Sequence, residues 1–318
     1  MTKTLFMFPG PGAQSIGMGK DLIDKHPPLK ESFQQANDLL GFDLADLCFN
    51  GPADQLNSTV YSQPAIFVTS VICLKALREG LMGESLSGVA PDACAGLSLG
   101  EYTALYAAGT MDFEQALRLV QIRGQSMQDA AEQRAGTMVS MLGIDESQAL
   151  SLAEAVLADG VSEEDGLPPV LAPVNFNCPG QVVFSGSLKA CERATELGER
   201  FGVSRAVPLK VAGAFHTDMM QPAAERLSQA LNAVALQDLS CPVIANVIAQ
   251  PYGSSREIPQ RLIQQLTQPV RWQQSIEYLL DEGFDRFVEI GPGRVLTGLA
   301  KKVMRPRKSN AEIETVSA

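Results

Sequence analysis

Ser98 and His216, far apart in the sequence, have the residue types of a nucleophile and its base. Ser98 is the centre of GLSLG at residues 96–100, a GxSxG pattern between a short apolar segment and a helical pattern. In that context the glycines allow a sharp strand-to-helix turn that exposes a serine hydroxyl, which is a nucleophile elbow. A Gly-rich turn that uses Ser98 only as a helix cap is the alternative.

His216 is the better base of the two histidines in the chain. His26 lies in the charged segment DKHPP, which is typical of a surface, whereas His216 lies in VAGAFHT, whose small and apolar residues favour an enclosed imidazole. We therefore predict that His216 activates Ser98; a buried structural histidine is the alternative. No acidic residue stands out as the third member of a catalytic triad. A backbone carbonyl could accept the imidazole N–H instead.

Arg123 is a candidate anion ligand on an amphipathic helix predicted over Phe113–Ala131. In LVQIRG the arginine is flanked by apolar residues, and Gly124 permits close packing. A planar guanidinium turned inward could bind a carboxylate through two parallel hydrogen bonds. An arginine that extends along the surface to reach solvent is the equal alternative.

The N-terminal sequence FPGPGAQ at residues 8–14 predicts a rigid turn after a buried strand at Leu5–Phe8. Pro9 and Pro11 fix two φ angles and remove two backbone N–H groups.

Strands alternate with helices through most of the chain, which predicts an α/β fold with a mostly parallel sheet covered on both faces. Residues 135–210 follow the order βαββαβ of a ferredoxin-like domain. We predict a large, hydrolase-like α/β catalytic subdomain at 1–134 and 211–318, with this small subdomain inserted. The other predicted elements used below are a helix at Ser62–Leu81 opened by Gln63-Pro64, and strands at Asp92–Gly96, Cys241–Ala249 and Arg286–Ile290.

Composition excludes several classes of function. The formal net charge of −11 argues against nucleic acid as the main partner. The apolar segments are short, so we expect no membrane span, and no signal-peptide pattern is visible. Six dispersed cysteines and two histidines predict reduced thiols, a cytoplasmic location and no metal site. A basic run from Lys301 to Lys308 is either a solvated helix end or a docking patch for an acidic partner.

Seven motifs in order resemble the malonyl-CoA:acyl-carrier-protein transacylases, the acyltransferase family of fatty acid and polyketide synthesis, over nearly the whole chain. They are FPGPGAQ, GLSLGEYTALYAAG, RLVQIRGQSMQ, VNFNCPGQVVFSG, VAGAFHTDMMQPA, QLTQPVRWQQSI and EIGPGRVLTGLAKK. Together they are far more specific than any one of them.

The resemblance implies a role for each matching residue. Ser98 would be acylated and His216 would be its base, in a dyad. Arg123 would hold the malonyl carboxylate, and the backbone carbonyl of Gln265 would orient His216. Further substrate contacts are implied for Gln63, near the arginine, for Phe215, whose ring leaves little space for an α-methyl branch, and for Asn177, in the pocket roof.

Two positions depart from the family pattern. Leu97 replaces a histidine, which leaves His216 as the only imidazole expected nearby. In the family, the backbone N–H at position 11 forms the oxyanion hole with that of Leu99, but Pro11 has no N–H. Gly12 or Gln14 could substitute as donors.

The resemblance implies transfer of malonyl from malonyl-CoA to the phosphopantetheine thiol of an acyl carrier protein, without a cofactor and by a monomer. Lys301 and Lys302 could help to dock the carrier. A serine esterase and a non-catalytic docking module damaged at Pro11 are the alternatives. Polyketide and malonate decarboxylase systems are other settings for the same transfer.

Overall fold

Two sheets organise residues 2–318, the part of the chain that the computed structural model describes. The larger sheet has six strands: β1 (Thr4–Phe8), β2 (Ala93–Gly96), β7 (Val243–Ala245), β8 (Gln250–Pro251), β9 (Arg286–Ile290) and β10 (Glu312–Val316). The smaller sheet has four: β3 (Gly136–Leu142), β4 (Leu171–Cys178), β5 (Gln181–Ser187) and β6 (Arg205–Pro208).

Helices flank both sheets. In chain order they are α1 (Lys20–Lys25), α2 (Lys30–Leu40), α3 (Leu44–Asn50), α4 (Ala53–Asn57), α5 (Thr59–Arg78), α6 (Gly100–Ala107), α7 (Phe113–Gln133), α8 (Glu146–Ala158), α9 (Leu188–Leu197), α10 (Gln221–Asn232), α11 (Ile258–Thr267), α12 (Trp272–Asp281) and α13 (Val295–Met304).

The larger sheet has the strand order β10-β9-β1-β2-β7-β8, and its strands are parallel except for the antiparallel edge pair β7 and β8. Alternate side chains of β1 enter opposite cores: Phe6 and Phe8 pack among α2, α5 and α7, whereas Leu5 and Met7 pack against α12 and α13. A strand covered on both faces has no solvent side, which is why β1 is continuously apolar.

The smaller sheet is antiparallel, with the order β4-β5-β3-β6. Helices α8 and α9 cover one face, and a small cluster of Met138, Val174 and Val183 on the other contacts Phe215. This βαββαβ unit beside a mostly parallel sheet confirms the predicted fold class. The boundaries at 135 and 210 stay a prediction.

Two element predictions are wrong in their limits by three residues or more. Helix α5 begins at Thr59 and contains Pro64, so Gln63-Pro64 does not open it. Since Pro64 is the sixth helical residue, it removes one bond near the helix start and the first turn still forms. The strand predicted at Cys241–Ala249 is limited to Val243–Ala245, because a turn follows in which the amide of Ala249 donates to the carbonyl of Ala245. Neither β8 nor β10 is among the predicted strands.

Helix α5 is the one helix in residues 2–318 that is long and apolar enough to cross a membrane by length and composition. Of its most apolar window, 83% is buried inside the protein, where it packs against α7. A helix buried in a protein core meets the same criteria of length and composition as a membrane-spanning helix.

Candidate active site

Ser98 lies on a nucleophile elbow between β2 and α6. Its φ is +53°, a left-handed conformation that serine rarely adopts. A Cβ at Gly96 would lie 1.9 Å from the carbonyl carbon of Gly100, and a Cβ at Gly100 would lie 2.0 Å from the carbonyl oxygen of Phe8. Only glycine fits at either position, so the two glycines of GLSLG make the turn possible.

His216 is in contact with the serine. Its Nε2 lies 3.0 Å from Ser98 Oγ, and its Nδ1 lies 2.6 Å from the backbone oxygen of Gln265. Because a carbonyl can only accept, Nδ1 carries the proton and Nε2 has a free lone pair facing the hydroxyl. Burial, and then the charge of Arg123, lower the pKa of His216 to about 4. The imidazole is therefore neutral at pH 7, as a general base must be.

Arg123 projects from α7 into the same site and is fully buried. Its Nη1 donates to Gln63 Oε1 at 2.5 Å, and its Nη2 donates to Ser98 Oγ at 2.9 Å and to Gln265 Oε1 at 3.1 Å. Its guanidinium lies 5.5 Å from the centre of the Tyr102 ring.

All of the groups that accept hydrogen bonds from Arg123 are neutral. Within residues 2–318 no carboxylate lies within 4.0 Å of the guanidinium, and its Nε has no hydrogen-bond partner. Burial lowers the pKa of Arg123 because a charged group is costly to remove from water. The site therefore holds a desolvated positive charge that an anion could neutralise.

The turn at residues 9–12 packs directly against the elbow. A Cβ at Gly10 would lie 2.2 Å from the carbonyl oxygen of Leu97 and 3.7 Å from the amide nitrogen of Leu99. Leu99 precedes α6, so its amide is one of the helix N-terminal donors without an intrahelical acceptor.

The two donors predicted to replace the missing N–H of Pro11 are already hydrogen-bonded. The amide of Gly12 donates to Gln14 Oε1 at 2.8 Å, and Gln14 Nε2 donates to Asn57 Oδ1 at 2.8 Å. Pro11 and Gly12 are exposed. Which group completes an oxyanion hole with Leu99 stays a prediction.

Phe215 and Asn177 lie at the boundary with the smaller sheet. Phe215 is half-buried and packs against both the main core and the cluster on that sheet. Asn177 is buried on β4, and its Oδ1 has no hydrogen-bond partner in the described chain. No hydrogen bond joins Asn177 to Ser98, His216 or Arg123 in residues 2–318, so its role in the site stays a prediction.

Three buried polar residues of the site were missed by the sequence reasoning: Glu101, Asn246 and Tyr252. Asn246 Oδ1 accepts the amide hydrogen of Ser98 at 2.7 Å, and its Nδ2 donates to the carbonyl of Gly96 at 2.7 Å, which holds the elbow on both sides. Asn246 follows the end of β7, and polar residues after parallel strands are a signal that could have found it.

Glu101 follows the elbow within the same motif and is 1% exposed. Tyr252 and Gln265 both donate to its carboxylate, each at 2.5 Å. Burial raises its pKa to about 7, although these hydrogen bonds lower it. A glutamate in a helix pattern gives no sign of such burial, since most glutamates are exposed.

Two further predictions concern residues outside the site around Ser98: the basic run near the C-terminus and the absence of a metal site. Lys301 and Lys302 are exposed in the last turn of α13. Among residues 2–318 no group of three or more histidine, cysteine, aspartate or glutamate side chains could hold a metal ion.

A serine on a turn from a parallel strand into a helix, with a histidine on its hydroxyl, places the protein in the class of α/β folds that carry a nucleophile elbow. The family follows from a comparison of the whole sequence. A model of the acyl transferase domain family matches residues 5–317, so the chain belongs to the acyl transferase family.

Curated relatives agree with this assignment over nearly the full length. The chain is 44% identical over 313 residues to the malonyl CoA-acyl carrier protein transacylase of Bacillus subtilis (strain 168), covering 98% of this chain and 93% of the relative. It is 39% identical over 304 residues to the enzyme of the same name in Escherichia coli (strain K12), covering 96% and 94%. The resemblance drawn from the seven motifs is confirmed.

Solved structures show the same similarity. A malonyl-transacylase in complex with a type II PKS acyl-carrier protein superposes with a TM-score of 0.88 at 37% identity, covering 99% of this chain and 95% of that one. An acyl carrier protein S-malonyltransferase from Vibrio cholerae gives a TM-score of 0.89 at 36% identity, covering 99% and 97%.

Proposed function

We propose that this enzyme transfers the malonyl group from malonyl-CoA to the phosphopantetheine thiol of an acyl carrier protein, for fatty acid biosynthesis. The reaction passes through a malonyl ester of Ser98. The observation that carries the proposal is the hydrogen-bonded series from the Gln265 carbonyl through His216 to Ser98, beside the unpaired charge of Arg123.

In the first half-reaction, His216 Nε2 takes the hydroxyl proton of Ser98 while Oγ attacks the thioester carbonyl. The Gln265 carbonyl stabilises the imidazolium that forms, since it accepts from Nδ1. The tetrahedral intermediate collapses to the malonyl ester, and His216 returns the proton to the departing CoA thiolate. The amide of Leu99 is proposed as one oxyanion donor, because it lies at the start of α6.

In the second half-reaction, the carrier's thiol enters where CoA left. His216 accepts the thiol proton as sulfur attacks the ester carbonyl, and the proton passes to Ser98 Oγ as the ester bond breaks. The product is malonyl-carrier protein, and the serine is regenerated. The small subdomain is proposed to exclude water from the ester, which favours transfer over hydrolysis.

Donor selection is proposed to reside in Arg123. The malonyl carboxylate would supply the anion that the guanidinium lacks within the protein, whereas an acetyl group would leave the buried charge unpaired. Gln63 holds the guanidinium from the other side, and Phe215 and Asn177 are proposed to shape the pocket around the acyl group.

Malonyl-CoA is proposed to be a substrate, with no further cofactor, and the enzyme to act as a cytoplasmic monomer. Lys301 and Lys302 are proposed to contact the acidic carrier protein, because they are exposed in a chain whose formal net charge is −11. Polyketide synthesis is a second candidate setting, since one similar structure is a complex with a type II PKS carrier.

Radiolabelled malonyl-CoA tests the proposal. We expect wild type to form a labelled protein adduct and then malonyl-carrier protein, and Ser98→Ala to lose the adduct, with transfer reduced by at least about 10³-fold. Ser185→Ala is the matched control, because Ser185 is also buried and its hydroxyl has no hydrogen-bond partner among residues 2–318. Free malonate as the main product would indicate an esterase, and persistent labelling of Ser98→Ala would remove Ser98 from the mechanism.

A further inference from the structure

We infer that Glu101 is a positioning residue for donor selection: through the side-chain amide of Gln265, it fixes the place of the Arg123 guanidinium. This inference rests on the proposed function. Glu101 touches neither Ser98 Oγ nor His216 by a hydrogen bond in the described chain, so the steps proposed above give it no part.

The carboxylate of Glu101 receives hydrogen bonds on both oxygens. Oε1 accepts from the hydroxyl of Tyr252 at 2.5 Å, and Oε2 accepts from Gln265 Nε2 at 2.5 Å and from the amide of Asn246 at 3.3 Å. Every partner is a donor, so the site is built for a group that accepts on both sides. The carboxylate therefore cannot move without leaving a buried donor unpaired.

Gln265 connects Glu101 to Arg123. Its Nε2 also donates to the backbone oxygen of Ser98 at 2.9 Å, while its Oε1 accepts from Arg123 Nη2 at 3.1 Å. A guanidinium can only donate, and the groups facing Nε2 all accept. Only one orientation of the amide satisfies both ends, and Glu101 supplies the closest acceptor for Nε2 in that orientation.

The backbone carbonyl of the same Gln265 holds His216. The side chain of Gln265 thus positions Arg123, whereas its backbone carbonyl fixes the tautomer of His216. Loss of the side-chain link should change which donor is accepted, whereas transfer of an acyl group that does not need Arg123 should continue.

The test compares kcat and KM for malonyl-CoA and acetyl-CoA in Glu101→Met and Glu101→Gln. We expect Glu101→Met to raise the KM for malonyl-CoA and to lower the malonyl-to-acetyl ratio of kcat/KM by about tenfold, since the buried amide of Gln265 loses its shortest acceptor and keeps only the Ser98 and Asn246 oxygens. Glu101→Gln should keep the ratio within about twofold, because its oxygen can still face Gln265 while its NH₂ turns to Tyr252.

Controls separate this inference from a general loss of structure. A purely structural role would reduce the amount of active enzyme, and so lower kcat for both donors equally. Glu289→Gln is the matched control, because Glu289 is also fully buried, but within residues 2–318 its carboxylate accepts only from the backbone amides of Leu296 and Thr297. We expect it to lose stability and to keep the wild-type donor ratio.

The outcomes are decisive in each case. An unchanged donor ratio in folded Glu101→Met would overturn the inference. Should that variant not fold, Gln265→Met breaks the same link from the other end and keeps the carbonyl on His216; an unchanged ratio there would also overturn it. If wild type itself shows no preference for malonyl, the proposed role of Arg123 fails; if wild type and the variants all prefer malonyl equally, only the inference about Glu101 fails.

Discussion

At the scale of single residues, the surroundings of His216 oppose its protonation. The imidazole is buried beside Arg123, and both causes lower its pKa to about 4, against the weaker opposite effect of the Gln265 carbonyl. The neutral form with a free Nε2 therefore persists well below neutral pH. The same shift lowers stability in acid: between pH 6.5 and about 4 the unfolded chain binds the proton first, so the free energy of unfolding falls as the pH falls.

Acylation of Ser98 should therefore be insensitive to pH over an unusually wide range for a histidine base. We expect the single-turnover rate of malonyl-enzyme formation to stay level from pH 8 down to about pH 5 and to be halved near the His216 pKa of about 4. Rapid-quench measurements with wild type check this. A midpoint near 6.5 would contradict it, and removing the charge in Arg123→Gln should move the midpoint upward.

Arg123 is buried without an anionic partner among residues 2–318, so its contribution to kcat/KM should depend on the acyl donor. Arg123→Ala should erase the preference for malonyl over acetyl, bringing the ratio of kcat/KM values close to unity. Competition between the two acyl-CoA donors measures it. Arg118→Ala is the control, because Arg118 lies on the same helix but is exposed and paired with Glu114. An unchanged ratio in Arg123→Ala would sink the role as carboxylate ligand.

At the scale of elements, the elbow and the turn after β1 form one wall. Gly10 packs against the carbonyl of Leu97, and Gly100 packs against that of Phe8, so the two segments are held in register by close backbone contacts. Position 11 directly follows Gly10 in this wall, and we predict that an N–H there would face the oxyanion. In this chain proline occupies it, and the neighbouring amide of Gly12 is bonded to Gln14.

Restoring an N–H at position 11 should raise turnover. Removal of one oxyanion donor typically costs about 10²–10³ in rate, so we expect Pro11→Gln to increase kcat by up to about 10²-fold. Pro11→Ala also supplies an N–H without a polar side chain, and a gain in both variants would assign the effect to the backbone. No gain in either, with the fold intact by circular dichroism, would mean that another donor already fills the position.

At the scale of the whole molecule, a local group of positive charges lies on the surface of a protein whose net charge is negative. The chain carries a formal net charge of −11, yet α13 ends in exposed lysines. Arg307 in the same run is paired with Asp281, and Lys302 donates to Gln181 at 3.3 Å, whereas the side chains of Lys301, Arg305 and Lys308 have no polar partner in the described chain. A local positive surface on an acidic protein would steer an acidic partner to one place.

Reversing this charge should affect the second half-reaction alone. We expect Lys301→Glu with Lys302→Glu to raise the KM for carrier protein by about tenfold at low salt, an effect that salt should diminish. Acylation by malonyl-CoA should be unchanged. The exposed pair Lys20 and Lys25 on α1, changed in the same way, is the matched control. An equal effect of both double variants would indicate a response to net charge, without a docking patch.

The sequence by itself determined the parts that depend on local chemistry. The glycines of GLSLG required a turn that excludes a Cβ, the continuous apolar run of β1 required a strand covered on both faces, and the motif order identified the family. Ser98, His216 and Arg123 could be named because their residue types are unusual in their local settings. The limits of elements do not follow from local residue types alone: α5 continues through Pro64, because tertiary packing overrides a local preference.

Only the tertiary structure decided which polar groups share the site. Glu101, Asn246 and Tyr252 have ordinary residue types, and their positions span about half of the chain, so nothing local shows that they meet under Ser98. Burial raises the pKa of Glu101 and lowers that of His216, and burial is a property of the packed molecule. The orientation of Gln265, set by an acceptor at one end and a donor at the other, exists only once the chain has folded.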